Sequence, residues 1–219
     1  MKFFSFLFMA SLAVAAPVMD KLEVRNAIEP RQNNANSAIG TIGGTLWTLE
    51  QATSSNLQSI RRTVRAIQAN TDATIRVQLV ATLEANYQAI FQAIQASTQS
   101  ITSVTTGAAG GISQSVIGLS QSSLGQLASA LQTTVRILGD IRVALSIAVT
   151  DLTPDLYALV QDETTAVREA IVPFLRPLLT FVQTARGLGA SVGLNVSGLN
   201  NAIDSLNNVV GNLSAIIGL

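Results

Sequence analysis

Two residue types are missing altogether, because the 219-residue chain contains neither cysteine nor histidine. Their absence excludes disulfide staples, thiolate and imidazole metal ligation, Ser-His-Asp or Cys-His nucleophilic machinery, and haem or iron–sulfur attachment through the usual side chains. No metal and no cofactor is therefore expected. Lysine is confined to Lys2 and Lys21, and charged residues make up only 12% of the chain. From Gln32 onward nine arginines face ten acids. A balance so close to neutral gives no strong electrostatic reason to bind nucleic acid or an anionic membrane. Aromatic side chains are also few: past Gln32 there are Trp47, Tyr87, Phe91, Tyr157, Phe174 and Phe181. Ala, Leu, Ile and Val must supply the core. Beyond the first segment no long, uncharged apolar run exists, so no transmembrane segment is expected.

What is present begins with a three-part leader. Lys2 is followed by an apolar run and then by small residues at Ala13 and Ala15, the layout of a secretory signal peptide cut after Ala15. Residues 16–31 mix Lys21, Arg25 and Arg31 with Asp20, Glu23 and Glu29 and end in Pro30-Arg31-Gln32. They are either a propeptide removed after Arg31 or a tail that stays attached. A secreted protein, extracellular or in the cell wall, is the resulting expectation, with residues 32–219 forming one domain. Such a length supports a core without staples, in keeping with the missing cysteines. Asn195-Val196-Ser197 and Asn212-Leu213-Ser214 are glycosylation candidates at Asn195 and Asn212.

Apolar residues recur at three- and four-residue steps over 39–94: Ile39, Ile42, Leu46, Leu49, Leu57, Ile60, Val64, Ile67, Ile75, Leu79, Leu83, Tyr87, Ile90 and Ile94. That period is helical. One uninterrupted helix over 45–106 would run roughly 90 Å, against about 40 Å for a compact domain of this size. A break is therefore expected, and Asn70-Thr71-Asp72 offers side chains that can cap a following helix. Ser55 with Gln58 is a weaker start signal. The glycines at 107–111 read as a hinge; without a following Lys-Ser/Thr or a preceding strand they are no phosphate loop. Leu124, Leu127, Leu131, Val135, Leu138, Ile141, Leu145 and Ala148 make the next stripe. Thr153 and Pro154 start another helix, with Pro173 and Pro177 expected to kink or restart it. Gly187, Gly189 and Gly193 suggest a loop, and Ser197 a cap for a last helix carrying Leu199, Ile203, Leu206, Val210, Leu213 and Ile217. The fold class is thus all-α: an antiparallel bundle of about five helices with an aliphatic core. An elongated coiled coil is the rival shape.

The charged residues offer little chemistry. Arg61, Arg62, Arg65 and Arg76 cluster, and Asp151, Asp155, Asp162 and Glu163 form an acidic counterpart, the pattern of solvated or mutually paired helix faces. Asp151 and Asp155 suit helix starts, and Asp162 and Glu163 are adjacent and so diverge. No acid–base pair stands out, and no enzymatic activity is expected. Small and aliphatic helix faces can instead close fully or leave an apolar tunnel for an acyl chain. Phe91, Ile94, Phe174, Leu178 and Phe181 are the candidate ligand-binding residues, with a mouth expected over the Pro173 to Phe181 kink.

A leader, a Pro30-Arg31-Gln32 processing point and a cysteine-free helical chain, with Ala170-Ile-Val-Pro-Phe-Leu-Arg-Pro-Leu-Leu179 as a helix junction, resemble the fungal hydrophobic-surface-binding and cell-wall galactomannoprotein family. The resemblance implies a secreted helical bundle at the cell wall that adsorbs to hydrophobic surfaces or holds a fatty acid or other lipid between its helices. The alternative is a structural wall component, or a secreted effector that meets a protein partner through its helical surface.

Overall fold

The computed structural model of the protein describes residues 34–106, 116 and 118–217. The leader at 1–15, the segment 16–31 with its cleavage point at Arg31, and the glycine hinge at 107–111 lie outside the described residues. Within them there are five helices and no strand: α1 (Asn34–Ala69), α2 (Ala73–Thr106), α3 (Gln121–Asp151), α4 (Pro154–Ser191) and α5 (Ser197–Ile217). The first four are 31 to 38 residues long, about 50 Å at 1.5 Å per residue. The bundle is thus longer than the compact estimate.

The expected break at 70–72 is real and built by its own side chains. Asp72 Oδ1 accepts the N–H groups of Thr74 and Ile75 at 2.8 and 3.2 Å, and Asn70 Oδ1 accepts that of Asp72 at 3.2 Å. The α1 helix runs straight through Ser55 and Gln58. A reciprocal cap opens α3: Ser120 Oγ accepts the Ser123 N–H, and the Ser120 N–H donates to Ser123 Oγ. Thr153 precedes α4 through its backbone alone, its side chain making no capping hydrogen bond, with Pro154 in the first position. Asp151 ends α3 rather than starting a helix; Asp155 occupies the first turn of α4.

Two further expectations are corrected in α4. The helix does not restart at Pro173 or Pro177 but continues through both to Ser191. Each proline costs roughly 3 kcal/mol in a helix interior, while Phe174, Leu175, Leu178 and Phe181 are all buried there. At about 1.5–3 kcal/mol for each large apolar side chain, their burial outweighs the loss. Gly187 and Gly189 are likewise helical, and the turn comes later, at Gly193 with φ of +78°. A Cβ at Gly189 would stand 3.1 Å from Leu124 Cδ1, so the missing side chain lets the end of α4 approach the start of α3. The last helix is capped by Asn195, whose Oδ1 accepts the Ser197 N–H at 2.9 Å. Ser197 is itself the first helical residue.

The helices form two antiparallel hairpins, α1–α2 and α3–α4, stacked in parallel. Ser123 Oγ donates to Asn36 Oδ1 near the start of α1 and α3, Arg136 pairs with Glu50 midway, and Gln68 donates to the Asp151 carbonyl near their ends. Neighbours α1 and α3 therefore run the same way. The same end holds both short loops, so α2 and α4 also leave it together, and these two pack along each other. Antiparallel pairing is thus the rule within hairpins and parallel pairing between them. α5 starts beside the first turn of α3, where Gln121 exchanges two hydrogen bonds with the Asn195 backbone, and runs along that helix.

One continuous aliphatic core draws on all five helices. Every α1 stripe residue from Ile39 to Ile67 named above is buried, as are Leu124, Leu127, Leu131, Leu138, Ile141, Leu145 and Ala148 of α3. Tyr87, Phe174 and Phe181 are its aromatic members.

Candidate functional site

Of the five side chains expected to line a ligand site, Ile94, Phe174, Leu178 and Phe181 are closed into the core at 0–1% exposure. Only Phe91 faces a groove. Helical phase explains the division. On α4 the residues Val160, Val167, Ile171, Phe174, Leu178 and Phe181 form the inward stripe, whereas Ala166, Glu169, Ala170 and Pro173 lie on the adjoining flank.

That flank, with Phe91, Gln95, Thr98 and Gln99 of α2, lines an open groove of about 390 Å³ between the parallel helices α2 and α4. Its floor is apolar, made by Phe91, Ala166, Ala170 and Pro173, and its rim is polar. Thr98 Oγ1 donates to the Ile94 carbonyl at 2.8 Å, leaving the oxygen as an acceptor. Glu169 carries the only charge among the lining side chains. Toward the loop end of the same helix pair, burial, and then the nearby charge of Glu163, push the Glu84 carboxyl above its ordinary value. Glu163 Oε2 is buried there with no hydrogen-bond partner.

A wider groove of about 900 Å³ follows the α1–α3 seam. Its character is ionic: Glu50, Arg136, Asp140, Arg142 and Asp151 line it, and the Arg136 Nε–Glu50 Oε1 pair closes to 2.6 Å. Burial raises the Asp140 carboxyl, helped by Glu50 and opposed by Arg61. Arg61 and Arg65 continue the seam beside Asp151. The arginine cluster thus partly meets an acid across the bundle, as solvated and paired faces do. Water suits such a surface better than an apolar ligand.

Both short loops share one end of the bundle, and near it stand exposed apolar side chains: Ile75 and Val77 in the first turns of α2, Val149 in the last turn of α3, and Leu159 in the second turn of α4. Asn195 and Asn212 are both exposed, and the hydrogen bond from Ser197 uses Asn195 Oδ1 rather than the nitrogen a glycan would take. Among the described residues no group of acids could hold a metal ion, and no helix is long and apolar enough to cross a membrane.

Comparison with protein families, curated proteins and solved structures finds none that matches this chain. Pro173, where a mouth was expected, does line the groove, whereas Gln95, Gln99, Ala166, Glu169 and Ala170 escape sequence reasoning because nothing in their spacing says that α2 and α4 are neighbours. An Ala166, Ala170, Pro173 row beside the main stripe is the one local signal of a second apolar flank.

Proposed function

We propose that the chain is a secreted, non-enzymatic, cell-wall-associated protein that binds lipids or hydrophobic surfaces, with the α2–α4 groove as its ligand site. The observation that carries this reading is the apolar floor of Phe91, Ala166, Ala170 and Pro173 left open between two long helices that pack along each other. Its volume of about 390 Å³ falls at the low end of the ~300–1,000 Å³ range of small-molecule sites, suited to one chain or ring system. The exposed Ile75, Val77, Val149 and Leu159 at the loop end favour adsorption to an extended apolar surface through that end.

Mass spectrometry of organic extracts of the purified protein, followed by titration of the emptied protein with fluorescent lipid and passage over a hydrophobic resin, tests the proposal. Co-purifying lipid, a saturable site and retention on the resin are expected. A protein with no bound lipid, no titratable site and no retention would retire it, and a single partner recovered repeatedly by pull-down would point to the protein-partner alternative instead.

A further inference from the structure

Resting on that reading, we infer that the α2–α4 groove selects amphiphiles whose polar head donates hydrogen bonds and carries no negative charge, such as long-chain alcohols or amines, over fatty-acid anions. The lining decides the sign. The rim amides of Gln95 and Gln99 can donate or accept and so do not discriminate, whereas the Glu169 carboxylate can only accept, and no arginine lines the groove.

The same helix pair adds negative charge toward the loop end, and Arg176, three residues past Pro173, places a positive charge toward the opposite end of the groove. Glu163 precedes Ala166 by three residues and Glu84 precedes Phe91 by seven, so both stand one to two turns from the apolar floor. They are close enough for the charge of Glu163 to disfavour ionisation of Glu84. A carboxylate head above Phe91 and Ala170 would meet Glu169 at the rim, with no cation in the lining to offset it. At an exposed carboxylate, one like-charge contact supports a discrimination of about two- to fivefold. A hydroxyl or ammonium head in the same place donates to Glu169 and to the amide oxygens of the rim.

The probes are 1-dodecanol, dodecylamine and sodium dodecanoate, equal in chain length and different only in the head, titrated at about pH 7.5 by displacement of a fluorescent lipid, the alcohol below its solubility limit and the two ionic probes below their critical micelle concentrations. Alcohol and amine are expected to displace it at concentrations about two- to fivefold lower than dodecanoate. Glu169→Gln should narrow that gap and Glu169→Arg should reverse it. Both changes fall on an exposed side chain, and a thermal melt matching the parent checks the fold.

Equal affinity for all three heads, or tightest binding of dodecanoate, overturns the selectivity while leaving lipid binding intact. A preference that neither Glu169 variant alters overturns the assignment to this groove. Failure of every probe to displace the reporter, together with no retention on the resin, removes the binding reading and the inference with it.

Discussion

Tyr87 is the side chain whose chemistry is most at odds with its surroundings. It is fully buried in an aliphatic core, and its hydroxyl donates to the Ala144 carbonyl at 2.7 Å, tying α2 to α3 across the bundle. Burial drives its ionisation far above the ordinary tyrosine range, so it serves as a donor at every accessible pH. Tyr87→Phe removes that donor while keeping the ring, and urea denaturation should register a loss of about 1–2 kcal/mol. Glu84 works in the opposite sense. Its carboxyl is raised above 4.5 in the folded protein, so the favourable contribution of the protonated form is complete below the unfolded value and is lost as pH rises through the folded one. Glu84→Gln should therefore melt higher than the parent near pH 7, with the difference vanishing by about pH 4. A parent that melts higher than Glu84→Gln near pH 7, with the gap closing on acidification, would mean that Glu84 has a stabilising ionic partner instead.

At the level of single elements, α4 carries the largest local conflict. Pro173 is exposed and interrupts the backbone ladder, yet the helix persists because the flanking Phe174 and Leu178 are held in the core. Pro173→Ala restores an N–H that can reach the carbonyl four residues earlier, and it should raise stability by up to ~3 kcal/mol in denaturant titrations. The same change removes part of the groove floor, so lipid affinity should fall as stability rises. Stability and affinity moving together would place the ligand elsewhere. The breaks between elements were written locally. Asp72 and Asn70 cap through their own side chains, and the stripes of α1 and α3 turned out buried almost residue for residue. Signals of glycine and proline were less faithful, because Pro173, Gly187 and Gly189 act against neighbours whose burial outweighs their propensity.

The whole molecule combines a closed core with two surfaces of different character. Parallel stacking of the hairpins gives an ionic seam between α1 and α3 and a partly apolar seam between α2 and α4. It also brings both short loops to one end, which gathers Ile75, Val77, Val149 and Leu159 near it. Replacing these four by serine should lower the melting temperature only modestly, since Val77 and Val149 are largely exposed and Ile75 and Leu159 about half so, while retention on a hydrophobic resin should fall several-fold. Unchanged retention would shift the surface contact to the groove or to the exposed Trp47 of α1.

The amino-acid sequence alone determined that this protein is helical, where α1 gives way to α2, which stripes of α1 and α3 face the core, and that no thiol or imidazole chemistry is available to it. These follow from period, composition and side chains that act within a turn or two of their own position. Tertiary structure decided which helices are neighbours, and with that which flank of each is covered. Phe174, Leu178 and Phe181 were expected at a pocket and went inward, while Ala166, Glu169 and Pro173 came to line one. The reason is that a helix of this length offers more apolar width than one neighbour can bury, and only the packing of the second hairpin against the first settles which strip is left open.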